Sequence, residues 1–318
     1  MLTALTSAVA LVVSLAVTPL VRLFAIRNGL LDQPDAERKI HAFPVPRLGG
    51  VAIAIAFLVA LGFAALATND LNALGSLRPN RAPAILAGAA LLVVVGVIDD
   101  VRGMPALVKL FWQVVAAALA FALGLSLERL NLPWGIVHLG WLALPLTVAW
   151  IVLIINAINL IDGLDGLAAG VVLTALGAFA LLSASAGVDP TLPIIAAAGG
   201  AAIGFLAYNM YPAEIIMGDT GSMFLGFVVG AIAISLTQDG LVPVSPIVPI
   251  VALAIPLADT VWAVIRRTAR GEPFFVADRG HIHHHLLRLG FSQRDAMLFL
   301  TALSAALAVI AVLLADVR

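Results

Sequence analysis

Asn156-Ala-Ile-Asn-Leu-Ile-Asp-Gly-Leu-Asp-Gly-Leu-Ala-Ala-Gly170 threads two amides and two carboxylates among three glycines, between apolar runs at 142–155 and 171–182. Polar groups set this densely between runs of membrane-spanning length need a reason in chemistry or in turn formation. In a continuous helix, Asn156, Asn159, Asp162 and Asp165 drift by about 60° a step and spiral around half the surface. A break near Asp162, which Gly163 and Gly166 invite, turns Asn159 and the carboxylates toward one cavity instead. Broken backbone at membrane depth is tolerated where protein or water covers it. The plain alternative is a loop, with an Asp-Gly turn and Asp165 as N-cap of the next helix. Asn159 has no cap to supply and lies nearer the apolar run, which favours a functional role. Asp165 stays divided between the two readings, and Asn156 reads as a structural amide.

The surrounding chain makes this a membrane protein. Of its 318 residues, 62% are hydrophobic and 11% charged, and the mean hydropathy is +1.11. Soluble domains carry about 25% charged residues. The expected fold is all-α, a polytopic helical bundle forming a single integral-membrane domain over 1–318. The absence of cysteine excludes disulfides, thiolate nucleophiles and Cys-ligated metals. Arg22 and Arg27 follow the first apolar run instead of preceding it, so that run is expected to be a retained span and not a cleaved signal.

About ten spans are expected, at 3–26, 48–67, 82–98, 105–123, 141–155, 164–184, 191–208, 222–237, 247–265 and 296–314. Several are shorter than the ~20 residues of an upright helix, so tilting and deep polar ends are expected. One set of alternating loops and helix ends holds thirteen of the Lys and Arg residues, and the other holds Arg78, Arg81, Arg129 and Arg318. The positive-inside rule makes the richer side cytoplasmic and puts both termini outside. The cytoplasmic segments 27–47, 99–104, 156–163, 209–221 and 266–295 then carry the acidic clusters and the histidines. The outer segment 125–140 reads as a small surface hairpin.

Each cluster has a chemical reading and a plainer one. Asp99-Asp100 closes the third span, where acids oppose the helix dipole and gain nothing locally. Adjacent carboxylates leave a helix in different directions, so one suits a reacting phosphate and the other a cation or basic neighbour. Gly218-Asp219-Thr220-Gly221-Ser222 opens the eighth span. A glycine-rich helix start offers N–H groups to phosphate, and its carboxylate suits Mg2+; an ordinary N-cap is the alternative. His281-Ile-His-His-His285 follows Asp278-Arg279-Gly280. It lacks the His-Glu-x-x-His spacing of zinc proteases, and the arginines nearby favour anion binding. Lys109 and Asp259 are ionisable groups inside spans, each read as facing a cavity or forming an ion pair, with snorkelling a further option for Lys109. His41 sits in a basic loop that the positive-inside rule already explains.

Together these residues resemble the polyprenyl-phosphate N-acetylhexosamine-1-phosphate transferase family. The likeness runs from Pro46-Arg47-Leu-Gly-Gly50 through Asp99-Asp100, 156–166 and 209–222 to the Asp278-Arg-Gly-His-Ile-His-His-His-Leu286 segment. The last of these is similar to the undecaprenyl-phosphate N-acetylglucosamine-1-phosphate transferases, which start O-antigen, common-antigen or teichoic acid synthesis. The sister branch, the phospho-N-acetylmuramoyl-pentapeptide transferases, carries a Phe-Glu-like ending where Leu286-Leu287 stands here.

The resemblance implies a bacterial cytoplasmic-membrane enzyme facing the cytoplasm, using Mg2+ or Mn2+. UDP-N-acetylhexosamine and undecaprenyl phosphate would give undecaprenyl-diphospho-sugar and UMP. The implied partners are these substrates, the lipid bilayer and a second copy in a homodimer, with no nucleic acid. By matching position, Asp219 and Asn159 fall to the metal, Asp99 and Asp100 to the lipid phosphate, and Asp162 and Asp165 to the nucleotide side. Lys109, Arg47, Arg279, His281, His283 and His284 fall to the phosphates and sugar. An ionised phosphate needs little help from a base, so one in-line displacement is expected, with Asp99 positioning it or taking its last proton. A cation-coupled transporter is the rival class, since intramembrane acids and a broken helix suit it too. It predicts a midplane site and internal repeats, whereas these acids gather on one side and no repeat is evident.

Overall fold

A computed structural model describes residues 1–32, 44–67, 81–132, 134–185, 191–239, 244–271 and 280–316. In chain order the elements are α1 (Leu2–Arg27), β1 (Leu31–Asp32), β2 (Val45–Pro46), α2 (Gly49–Ala67), α3 (Arg81–Arg102) and α4 (Ala106–Ala122). There follow β3 (Arg129–Leu132), β4 (Gly135–His138), α5 (Ala143–Ile161), α6 (Leu167–Ser185), α7 (Leu192–Asn209) and α8 (Gly218–Asp239). The chain closes with α9 (Ile247–Ala252), α10 (Ala254–Ala269), α11 (Ile282–Arg288) and α12 (Gln293–Asp316). Among the described residues, 8 helices are long and apolar enough to cross a membrane, and α4 is a shorter apolar helix. Nine of the ten expected spans fall each on one helix of this all-α bundle, and the ninth falls on two.

Four boundaries differ most from expectation, the first being the third helix, which runs on to Arg102 and carries Asp99 and Asp100 within it. The fifth helix runs on to Ile161, so Asn156 and Asn159 are helical and the break comes at Asp162. The eighth begins at Gly218. The ninth span is broken into α9 and α10 at Leu253. Pro256 accounts for that break: it has no N–H for the carbonyl of Ala252, and its ring crowds that same carbonyl.

Helix α8 is the axis of the bundle, its apolar stretch wholly buried, packed against α2, α3, α5 and α6. Lipid offers no hydrophobic drive between helices, so association depends on close backbone approach over small residues. Gly50 of α2 and Gly96 of α3 supply it. A Cβ on Gly50 would lie 2.0 Å from the Gly221 nitrogen, and one on Gly96 would lie 2.4 Å from the Thr220 Cα. Gly226 of α8 meets the Ile155 Cα of α5 in the same way, at 2.7 Å. By contrast only 22% of the apolar stretch of α1 and 28% of that of α12 are buried within the bundle.

At the far end of α8, β3 and β4 pair antiparallel, Arg129 opposite His138, as the expected hairpin. Gln238 fastens it, accepting from the Glu128 and Arg129 N–H groups (3.1 and 3.2 Å) and donating to the Arg129 carbonyl at 2.8 Å. The opposite end of α8 carries the polar clusters.

Gly50→Ala drives a methyl into backbone that cannot yield, and is expected to cost about 1–3 kcal/mol in unfolding from detergent. Gly62→Ala, on the same helix with open space around it, is expected to be neutral or slightly stabilising.

Candidate active site

The first turn of α8 is built by a carboxylate from another helix. Asp100 of α3 accepts from the Asp219 N–H at 2.9 Å, the Thr220 N–H at 3.1 Å and the Thr220 hydroxyl at 2.6 Å. An anion at a helix N-terminus satisfies donors that have no partner within the helix and complements the dipole. These N–H groups, for which an ordinary N-cap by Asp219, Thr220 or Ser222 is the alternative reading, are thus met by Asp100. Gly218 has φ +71, and a Cβ there would stand 2.6 Å from Asp100 Oδ2, so the turn requires glycine. Asp100 is buried and spends its oxygens on this turn. It is a positioning residue more than a group offered to substrate.

Its neighbour Asp99 points elsewhere, as adjacent residues on a helix must. Asp99 Oδ2 accepts from Lys109 Nζ of α4 at 3.0 Å, and the same ammonium donates to Asp219 Oδ2. The other Asp219 oxygen accepts from Asn159 Nδ2 of α5 at 2.8 Å. Asn159 Nδ2 also reaches Ser222 Oγ at 2.9 Å, and that hydroxyl donates to the Gly218 carbonyl. Four helices thus meet on one carboxylate. Asn156, a turn earlier, donates to Gln113 Oε1 at 2.6 Å and to the Val152 carbonyl, a structural amide between α4 and α5.

After α5 ends, Asp162, Gly163, Leu164 and Asp165 line a cleft. Asp165 is buried and accepts from the Ala213 N–H at 2.9 Å. Asn209 accepts from the Gly166 N–H and donates to the Ile215 carbonyl. These bonds tie the turn after α5 to the segment before α8. Asp165 therefore holds the wall of the cleft. Asp162 is half-buried, and burial, with the carboxylates of Asp219, Asp100 and Asp165 around it, pushes it up to about 8. A cation brought into the cleft reverses that effect.

The histidine run forms the next wall. His281 is extended and precedes the short helix α11. It is buried, with Nδ1 2.8 Å from Asp259 Oδ2, while Asp259 Oδ1 accepts from the Ile282 N–H at 2.8 Å. Asp259 of α10 is thus the anchor of this segment. His281, expected at the sugar and phosphates, lies behind the cleft in the role of a positioning residue. His283 and His284 line the cleft, and exposed His285 pairs with Arg288. The His283 ring lies over Gly163, whose Cβ would fall 2.4 Å from Nε2. Among the described residues His283 Nδ1 has no hydrogen-bond partner. Burial, with His284 and His281 alongside, lowers the His283 imidazole to about 3, so it is neutral at pH 7. Arg279 and His41 lie outside the described residues.

The last wall had no signal in the sequence beyond Arg47 itself. Arg47 donates from Nε and Nη2 to Asp32 Oδ1 across the β1–β2 pair, and both line the cleft. Leu48 follows with φ 78, a left-handed backbone that is costly for a branched side chain. It turns the chain so that Gly49 and Gly50 donate to the Ile216 and Met217 carbonyls (3.1 and 2.8 Å), while Ile216 N–H donates to Pro46.

The cleft so enclosed has a volume of about 490 Å³ and is lined by Asp32, Arg47, Asp99, Asp100, Lys109, Asp162, Asp165, Asn209, Asp219, His283 and His284. A second cavity of about 540 Å³ lies between α4, α5 and α10. Its walls are mainly apolar, with Gln113, Asn156, Asn159 and Arg267 among them, and it shares Lys109 with the first. Among the described residues no three His, Cys, Asp or Glu side chains converge as a metal cage. Asp99, Asp219 and the amide of Asn159 form a hard oxygen-rich set. That set fits Mg2+ or Mn2+, which bind through one or two carboxylates and complete their shell with water and substrate phosphates.

Fold and site together define a polytopic membrane enzyme whose polar cleft opens beside an apolar cavity. Residues 82–237 match the model of glycosyl transferase family 4. The chain is 38% identical over 292 residues to a probable undecaprenyl-phosphate N-acetylglucosaminyl 1-phosphate transferase of Bacillus subtilis, covering 91% of this chain and 78% of the relative. It is 35% identical over 324 residues to the decaprenyl-phosphate N-acetylglucosaminephosphotransferase of Mycolicibacterium smegmatis, covering 93% and 78%. It is 32% identical over 302 residues to the undecaprenyl-phosphate alpha-N-acetylglucosaminyl 1-phosphate transferase of Escherichia coli K12, covering 92% and 78%. The chain belongs to glycosyl transferase family 4, in the branch of the polyprenyl-phosphate N-acetylglucosamine-1-phosphate transferases.

Two outcomes follow from the histidine wall. Asp259→Ala leaves His281 Nδ1 and the Ile282 N–H unpaired in a buried site. It is expected to cost roughly 1–3 kcal/mol in unfolding measured from detergent. For His283, the unfolded chain takes up a proton near the ordinary value of 6.5, which the folded chain refuses until about 3. Its contribution to stability therefore rises with pH between those values. His283→Gln is expected to flatten the dependence of unfolding on pH between 5 and 6.5.

Proposed function

We propose that this protein transfers GlcNAc-1-phosphate from UDP-GlcNAc to undecaprenyl phosphate. The products are undecaprenyl-diphospho-GlcNAc and UMP, and the reaction runs at the cytoplasmic face of a bacterial membrane to begin an envelope polysaccharide. The observation that carries this reading is Lys109. Its ammonium joins Asp99 to Asp219 and borders both the polar cleft and the mainly apolar cavity. A reaction between an aqueous nucleotide sugar and a lipid phosphate needs one such meeting point at the bilayer edge.

The acceptor's prenyl chain takes the cavity between α4, α5 and α10, which brings its phosphate to Lys109 and Asp99. The donor takes the polar cleft, with its diphosphate toward Asp219, Arg47 and the His283–His284 wall. A phosphate oxygen of the lipid attacks the phosphorus that carries the sugar. The bond from that phosphorus to the oxygen bridging it to the uridine-bearing phosphate breaks, and UMP leaves with the bridging oxygen. Asp99 orients the attacking phosphate and accepts its last proton where one remains. Lys109, Arg47 and the neutral imidazoles answer the charge of the two anionic partners as they approach. Asp100, Asp165, Asn209 and Asp259 keep these groups in place. When bound at Asp219 with Asn159 alongside, Mg2+ or Mn2+ neutralises charge on the diphosphate oxygens.

The test is release of UMP from UDP-GlcNAc by purified protein with undecaprenyl phosphate in detergent. Release is expected with Mg2+ and not with EDTA, and Asp219→Asn is expected to lower turnover by at least about 10²–10³-fold. No release from any UDP-N-acetylhexosamine, or near-full rate in Asp219→Asn, would contradict the assignment. A labelled phosphoryl-sugar adduct on the enzyme, formed without lipid, would replace the single displacement by a covalent route.

A further inference from the structure

Both carboxylate oxygens of Asp219 are already engaged, one by Asn159 and one by Lys109. Each of these oxygens can still accept a further partner, but a divalent cation approaching this carboxylate meets the like charge of the Lys109 ammonium beside it. The two donors are not equally held. Asn159 sits within α5 and is braced by Ser222. Lys109 carries its charge on a flexible four-carbon stem, and it borders both cavities, so a phosphate entering either one offers its ammonium a new partner.

We propose that Lys109 is an internal counter-ion that makes divalent-cation binding at Asp219 conditional on a phosphate-bearing substrate. This rests on the reading above that Asp219 holds the metal. With the ammonium between Asp99 and Asp219, one of their two negative charges is already offset, and a dication approaching the same carboxylates is repelled by it. A nucleoside diphosphate draws the ammonium to its own oxygens, and Asp219 turns to the cation. Metal and nucleotide then favour each other, and the coupling is equal in both directions. The cation is expected to enter with the nucleotide and to leave with it.

The test is Mn2+ binding followed by electron paramagnetic resonance, with and without UDP, on full-length protein in detergent. Asp219→Asn serves as the blank for chelation by the nucleotide itself. Wild-type protein is expected to bind Mn2+ more tightly with UDP, by a factor in the range of about 5–150. Lys109→Met removes the charge at similar length. It is expected to tighten Mn2+ binding without nucleotide by a comparable factor, and to shrink the effect of UDP to within about twofold. Lys109→Gln is the second uncharged variant should Lys109→Met fail to fold, and Lys109→Arg is expected to keep the coupling. Uncharged variants that bind nucleotide-free Mn2+ no more tightly than wild type overturn this role alone. Absence of any Asp219-dependent Mn2+ binding, with or without UDP, removes both the metal reading and this one.

Discussion

Asp100 reaches from α3 to the first turn of α8 and takes three donors there, and the rest of the site depends on that bond set. In the low-dielectric interior of a bundle, a carboxylate and the free N–H groups of a helix start are each costly alone. Together they satisfy one another. The bond fixes where α8 begins and therefore where Asp219 stands. Asp219 in turn gathers Lys109 from α4, Asn159 from α5 and, through Lys109, Asp99 from α3. A central carboxylate held by side chains of three other helices has little freedom to wander, which is the condition for precise handling of phosphates.

The packing of α8 answers the same requirement. Glycines let α2 and α3 approach it to backbone distance on one side, and a glycine of α8 admits α5 on another. The acidic end of the helix is thereby held against α3 and α5, which supply Asp100 and Asn159 to it. At the cleft edge the construction changes. There the walls are the segment before α8, the short helix α11 and the β1–β2 pair, each tied down by a few polar bonds: Asp165 to Ala213, Asp259 to His281 and Ile282, Asp32 to Arg47. Such bonds can open without unfolding the bundle, which leaves this edge freer to move than the helical core.

The helices were legible because membrane-length apolar runs have few alternatives in lipid, and the break after Ile161 was legible from its glycines. Pro256 was present in the ninth run, yet an apolar run with a proline reads as one span until the lost hydrogen bond is seen to split it. The gathering of Asp99, Lys109, Asp162 and Asp219 around one cleft followed from their alternation along the chain. Individual roles were harder. Asp100 differs from Asp99 only in direction, and its partner lies 119 residues on. Asp165 is bonded to a backbone 48 residues away, and His281 is turned from the cleft by Asp259, 22 residues before it. Asp32 offered no pattern at all, since only the fold sets it against Arg47.

The most direct measurement is the anomalous scattering of Mn2+ in crystals of the protein grown with UDP-GlcNAc. The account predicts one peak in bonding contact with the Asp219 carboxylate and the nucleotide diphosphate, within the cleft bounded by Arg47, Asp162 and His283. A peak held by the histidines of α11 without Asp219, or a diphosphate bound outside this cleft, would contradict it.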